Sequence, residues 1–278
     1  MNIQPMTPSD LARVFDWLPS TRLNPPLNIQ DWYEACGDDA LRIGVVNGER
    51  VAGSFGSRFQ GEVGHIGPVA VKPERRGLGY GREMWHATLE VLGSGPLMLQ
   101  LTPEFAPVME RYGFRQDWFN LRVSGTVEAR RTDESGMSLY TEVPLDELVR
   151  YDTEISGLVR PRMLQVLFAQ PATCTLVLRE GSMLTGLGSI RPARHGFRIG
   201  PLFSHDPASA ARLFDALCAR AGTGQMVTID VPDANPAALA IMTSRGFAAT
   251  ARAVRMSRGY VPALRIDRAF GATVWVAG

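Results

Sequence analysis

At 278 residues the chain exceeds one ordinary domain of ~100–150 residues and suits two, and its 45% apolar content can fill sizeable cores. A formal charge of +1 offers no basic surplus for nucleic acid, and no apolar run reaches membrane-spanning length. Cys36, Cys174 and Cys218 lie far apart with no CxxC pair and only four histidines, which fits neither a zinc site nor a disulfide framework. The start, Met1-Asn2-Ile3-Gln4-Pro5, has no basic segment followed by an apolar one, so the expectation is a cytoplasmic protein with no metal, no nucleic acid and no membrane partner.

Residues 2–6 predict a short strand. Thr7-Pro8-Ser9-Asp10 then supplies a helix cap, a proline at the first turn and an acid at the third position, ahead of Leu11, Val14, Phe15 and Leu18 at helical spacing. After Asn24-Pro25-Pro26 a second short helix is predicted over 28–36, closed by Gly37, with Trp32 and Tyr33 either packed in the core, the reading preferred, or lining a pocket. Strands follow at 41–46, 51–59 and 62–71, the first two joined by the hairpin turn Asn47-Gly48.

The third strand ends at Lys72-Pro73 and runs into Glu74-Arg75-Arg76-Gly77-Leu78-Gly79-Tyr80-Gly81. A helix then begins, with Met84, Trp85, Thr88, Leu89 and Leu92 on its buried face and Gly93 at its end. Three glycines let the backbone turn sharply, and a helix start adds unpaired N–H donors and a positive dipole end, so this turn suits a phosphate or pyrophosphate, the alternative being a glycine-rich turn that only caps the helix. A Walker loop needs Lys-Ser/Thr where Arg82-Glu83 stands, and the dinucleotide fingerprint spaces its glycines differently.

A strand is predicted at 97–101, a helix starts at Thr102-Pro103-Glu104 and ends at Tyr112-Gly113-Phe114, and strand-rich sequence through Val123 is expected to close the unit. Read as Arg76-x-x-Gly79-x-Gly81 after Val69-Ala70-Val71, the turn resembles the acetyl-CoA pyrophosphate loop of GNAT-type N-acetyltransferases. The order β-α-α-β-β-β-α-β-α-β over roughly residues 1–125 is that of the same fold.

The second half repeats the first. Ile199-Gly200-Pro201-Leu202 echoes Ile66-Gly67-Pro68-Val69, and Asn235 to Phe247 echoes Thr102 to Phe114, both at an offset of 133. The chain therefore resembles a tandem GNAT protein, its C-terminal half similar to the second domain of YitH-type acetyltransferases. The resemblance implies an α/β (α+β mixed sheet) fold class, with a GNAT domain over 1–126 and a degenerate GNAT-like domain over 138–278; the polar run between them, 127–137, reads as a linker or an exposed edge-strand connection. In the second copy Phe203-Ser204-His205-Asp206-Pro207 replaces the glycine loop and sets a carboxylate at the helix start, so one cofactor site is expected.

Carried over from the family, acetyl-CoA contacts fall on Val69 and Val71 and on Arg76, Gly77, Leu78, Gly79, Tyr80 and Gly81, with a backbone N–H near Val69 stabilising the oxyanion. Some members carry a Glu four residues before the first of these contacts; here the residue is His65, read either as a general base or as a strand histidine that only hydrogen-bonds at a sheet face. Glu62 is a weaker candidate. Where the family often has a tyrosine acid, this chain has Met109, and Met242 in the repeat; Tyr112 nearby reads as core. The expected activity is acetyl transfer from acetyl-CoA to a primary amine of a small molecule, with a non-catalytic acetyl-CoA sensor as the alternative. Acceptor identity and oligomeric state stay open.

Overall fold

The first half is laid down by local signals. In the computed structural model, which describes residues 1–18, 24–27, 29–37, 40–59 and 63–273, it runs β1 (Asn2–Pro5), α1 (Pro8–Asp16), α2 (Ile29–Gly37), β2 (Arg42–Val46), β3 (Glu49–Arg58), β4 (Gly64–Val71), α3 (Tyr80–Leu92), β5 (Leu97–Leu101), α4 (Ala106–Glu110) and β6 (Arg115–Thr126). Thr7 and Asp10 form a reciprocal capping box at the start of α1, a device worth about 1 kcal/mol. Asn47 and Gly48 both take positive φ, 49° and 80°, as a two-residue hairpin turn between twisted strands requires.

The second half repeats the plan with β7 (Met137–Leu139), α5 (Leu145–Ser156), α6 (Pro161–Ala169), β8 (Cys174–Glu180), β9 (Met183–Pro192), β10 (Phe197–Ser204), α7 (Pro207–Ala221), β11 (Met226–Pro232), α8 (Pro236–Thr243), β12 (Ala248–Arg258) and a short β13 (Ala269–Gly271). Residues 127–134, between the halves, hold no helix or strand.

Among the described residues all strands join one sheet in the order β1-β2-β3-β4-β5-β12-β6-β11-β10-β9-β8-β7, with β13 beside β10. This order corrects one expectation. The strand through Val123 does not close the first unit: the C-terminal part of β6 pairs with β11, from Thr126–Met226 to Asn120–Pro232, its other edge pairs with β12, and β12 takes the place beside β5. Each half lends its last long strand to the other. The exchange is fastened by charge as well as by backbone, since Arg122 on β6 grips Asp230 on β11 with paired bonds of 2.9 and 3.2 Å in the buried interior. Burying such a pair is expensive unless both oxygens are satisfied, and they are.

Helices α1, α2, α5 and α6 share one face of the sheet and one apolar core, in which Phe55, Ala70 and Met98 of the first half meet Leu148, Phe168 and Phe203 of the second. On the other face α3 and α4 cover the first half, and α7 and α8 the second. A further clasp joins them: Asn24 donates to the His195 carbonyl at 3.1 Å and accepts from the His195 N–H at 2.9 Å. No helix among the described residues is long and apolar enough to cross a membrane.

Candidate active site

Strand β4 breaks its own regularity just where the sequence has Gly67-Pro68. Ser54 faces Val69 and Gly56 faces Ile66, so two residues of β4 oppose the single residue Phe55 of β3, a bulge. On the other side β4 and β5 run parallel only as far as Ile66–Leu99, although β4 continues to Val71 and β5 to Leu101. Bulge and divergence together open a wedge in the sheet with Val69 and Val71 on one arm. Their side chains pack toward α3, which leaves backbone groups to face the gap.

The glycine turn stands at the end of this wedge. Gly77 and Gly79 have φ of 81° and 87°, left-handed values that other residues adopt only with strain. A Cβ added at either would meet nothing within 4 Å, so the turn presents bare backbone to open space. Gly79 is the N-cap of α3, with no side chain capping it. The N–H groups of Arg82 and Glu83 both donate to the Gly79 carbonyl, and the donors just before them are the ones a helix start leaves for a ligand.

Neighbouring charges are arranged less simply than the sequence suggests. Arg76 folds back along the strand end, its Nε on the Val71 carbonyl at 3.2 Å and its Nη2 on the Trp17 carbonyl at 3.0 Å, which ties the turn to β4 and α1. Arg75 points away: together with Lys72 it holds Glu49, at 2.5 and 2.6 Å, and their hydrogen bonds keep that carboxyl below its usual range. The turn therefore relies on backbone donors and Arg76 more than on a pair of free arginines.

His65 lies on β4, opposite Ser57 of β3 and Met98 of β5, and is 1% exposed. Neither ring nitrogen has a protein partner, nor does the Ser57 hydroxyl. Burial, with the nearby Arg255 charge, pushes the imidazole down to about 3. The value near 6.5 that made it attractive as a base does not survive burial; at neutrality His65 is a neutral, weakly basic ring. Glu62 lies outside the described residues. Met109 is buried in the core under α3, while Tyr112, read as core, is half-buried: its ring packs edge-on against Trp85 and its hydroxyl lies 3.5 Å from His86 Nε2. Tyr33 is buried too, but a Cβ added at Gly67 would stand 2.7 Å from its hydroxyl, so this phenol reaches the β4 bulge. Of the two sequence readings, core or pocket wall, Tyr33 meets both, and only the fold, by bringing α2 across β4, says which pocket.

The second half has the same bulge at Gly200-Pro201 and the same divergence, with β10 and β11 paired only through Ile199–Ile229. There the wedge is filled. Strand β13 pairs with β10 at Leu202–Gly271 and Phe203–Ala269, and the Ala272 N–H donates to the Asp230 carbonyl of β11 at 2.8 Å. Asn235, read as a helix signature, caps α8 through Ala238 N–H and with its other end donates to the Ile266 and Ala269 carbonyls at 2.8 and 3.0 Å. Only residues 205 and 206 connect β10 to α7.

The comparisons with known proteins agree with this geometry. The acetyltransferase (GNAT) family model matches residues 11–103, and a second acetyltransferase (GNAT) domain model matches 148–271. Two GNAT domains stand in tandem in this chain, and the protein is an acyltransferase. It is 27% identical over 225 residues to holothin acyltransferase of Pseudoalteromonas sp. (strain SANK 73390), covering 81% of this chain and 76% of the relative. In fold it is similar to a putative acetyltransferase from Pyrococcus horikoshii, with TM-score 0.82, 18% identity and coverage of 100% and 95% of the two chains. A tandem GNAT protein from the clavulanic acid biosynthesis pathway is similar at TM-score 0.62 and 15% identity, with coverage of 94% and 99%. Among the described residues no group of three or more His, Cys, Asp or Glu is placed to hold a metal ion.

Proposed function

We propose that the protein transfers the acetyl group of acetyl-CoA to a primary amine of a small molecule in the cytoplasm, using one cofactor site formed by the first half. The observation that carries the reading is the bare turn at Gly77 and Gly79, standing at an uncapped helix start beside the wedge between β4 and β5. The pyrophosphate is assigned to Arg76, Gly77, Leu78, Gly79, Tyr80 and Gly81, and the pantetheine arm and thioester to the backbone of Val69 and Val71.

Acetyl-CoA brings the activated acyl group and the thiolate leaving group. The chain's part is to hold, polarise and exclude water. A backbone N–H near Val69 takes the developing oxyanion, a contribution commonly of ~3 kcal/mol. His65 is assigned to position a water with Ser57 for the amine proton, rather than to take that proton itself, because burial makes the ring too weak a base and both groups lack protein partners. The family's tyrosine position holds Met109 here; a thiol of ordinary pKa, ~8.5, leaves without a protein acid. Met109 was also what favoured a cofactor sensor.

The second half is assigned as a degenerate GNAT domain of the YitH type that walls the acceptor site. Its filled wedge and short connection support that role. The domain limits remain those of the repeat, 1–126 and 138–278 around a linker at 127–137. Thiol release from acetyl-CoA in the presence of an amine panel tests the activity: release no faster than without amine would reject transfer and restore the sensor.

A further inference from the structure

Where the halves meet, a cavity of ≈ 30 Å³ is lined by Gln100 of β5, Trp118 and Asn120 of β6, Arg255 of β12 and Arg160 beside α6. That is room for about two water molecules, so it seats a functional group rather than a whole ligand. Gln100 is the next residue after Leu99, where β4 has already left β5, so the cavity adjoins the wedge. The strand exchange builds it, for Arg255 reaches β5 only because β12 lies there.

A one-way chain of hydrogen bonds sets the polarity of this seat. Trp118 Nε1 can only donate, and it donates to Asn120 Oδ1 at 3.1 Å. Asn120 must then turn its amide nitrogen away, and Nδ2 donates to Gln100 Oε1 at 2.7 Å. Gln100 is left presenting Nε2, a buried donor with no partner. The site asks for a hydrogen-bond acceptor atom.

The surrounding charges exclude a cation. Of the titratable residues facing the cavity two are arginines and none is a carboxylate. Arg255 stacks on Trp118 with 4.3 Å to the ring centroid and is held by Asp117 at 2.6 Å. Ser257 takes the other oxygen of Asp117, and Arg160 takes both oxygens of Asp152. An alkylammonium entering here would lose water, meet two guanidiniums and find every nearby acid engaged.

We propose that the acyl acceptor is a planar conjugated amine, uncharged near neutrality, that carries a carbonyl-type acceptor atom bound by Gln100 Nε2. This rests on the acetyl-transfer reading and names the acceptor class for the same site. Such an amine needs no strong base to deprotonate it before attack, which agrees with the weakly basic, buried His65.

The test is acetyl transfer by the full chain to four probes: 4-aminobenzamide, aniline, benzylamine and spermidine. The first two are neutral aromatic amines, with and without a carbonyl; the last two are cationic. The expected order of kcat/KM is 4-aminobenzamide above aniline, with both at least tenfold above the cationic amines. Gln100→Leu and Gln100→Asn should each lower the preference for 4-aminobenzamide over aniline at least tenfold, and acetyl-CoA affinity by calorimetry reports that each variant is folded. Preference for benzylamine or spermidine, or an unchanged amide preference in both variants, overturns the inference while leaving acetyl transfer standing. Transfer to none of the four, with acetyl-CoA still bound, overturns acetyl transfer itself and this inference with it.

Discussion

Asp206 Oδ1 accepts the backbone N–H of Ser209 at 3.0 Å, and that of Ala208 at 2.8 Å, so the second half closes with its own carboxylate the helix end that Gly79 leaves open in the first. These hydrogen bonds hold the Asp206 carboxyl below its ordinary range despite partial burial, so it is charged at neutrality. An incoming pyrophosphate would meet an anion where it needs donors. Calorimetric titration of the intact chain should give one acetyl-CoA per chain. Two sites of similar affinity would sink the one-site reading.

Replacing Gly79 by Val puts a β-branched side chain at φ 87° into the space kept bare before α3. Acetyl-CoA affinity should fall at least tenfold, about 1.4 kcal/mol. The strain itself costs ~1–2 kcal/mol of stability, so Gly93→Val is the control: Gly93 also has positive φ, 68°, and open space, at the opposite end of α3. Equal affinity loss in both variants would assign the effect to strain and remove the turn from the site.

The parts legible in the sequence are those that local chemistry decides. Thr7 and Asp10 cap α1, Asn47-Gly48 turns β2 into β3, and the echo of Gly67-Pro68 in Gly200-Pro201 marks the repeat, although that both are bulges came only with the structure. Strand exchange was not legible. β6 and β12 stand at equivalent places in the repeat, and nothing in their residue pattern states whether β5 or β11 is the neighbour. The seat at Gln100 depends on that choice, so it was hidden too. The low basicity of His65 was hidden for another reason: the sequence places it on a strand but says nothing of the helices that bury it.

Stability should carry the signature of His65. In the unfolded chain the imidazole titrates near ~6.5, while in the folded protein it is pushed to about 3. Between those values the unfolded state binds a proton that the folded state refuses, so stability rises with pH and is lost as pH falls through that window. Between pH 7 and 5 the loss attributable to this group is roughly 2 kcal/mol. Urea unfolding of the wild type and His65→Asn at both pH values measures it. A slope unchanged in the variant would show that the ring is hydrated and titrates normally. For the same reason His65→Ala should slow transfer without removing a pH inflection near 6.5.

The exchange of β6 and β12 makes the halves interdependent. Cutting between residues 136 and 137 leaves fragment 137–278 without β6 beside β11, and Asp230 loses Arg122. It leaves fragment 1–136 with β5 exposed along the edge that β12 covers. Neither fragment alone should show cooperative thermal unfolding, whereas the intact chain should unfold in one transition. A cooperatively folding 137–278 fragment would mean that β6 is dispensable to the second half.

Asn235 offers the sharpest test of what fills the second wedge, because its two ends do different work. Oδ1 caps α8, while Nδ2 holds the carbonyls of Ile266 and Ala269 that lead into β13. Asn235→Ala loses both and should cost about 2–3 kcal/mol, a cap plus the hydrogen bonds to two carbonyls. Asn235→Asp keeps the cap but turns a carboxylate toward two carbonyl oxygens. If anchoring β13 is the larger part, Asp is at least as destabilising as Ala; if the cap is, Asp restores most of the stability. In the first case hydrogen exchange at the Ala272 N–H, which bonds Asp230 across the wedge, quickens more in Asp than in residues of α8. Stoichiometry should stay at one acetyl-CoA even so, since loosening β13 does not supply the glycines that the 205–206 connection lacks. A variant that gained a second acetyl-CoA would show β13 alone to be what closes that wedge to the cofactor.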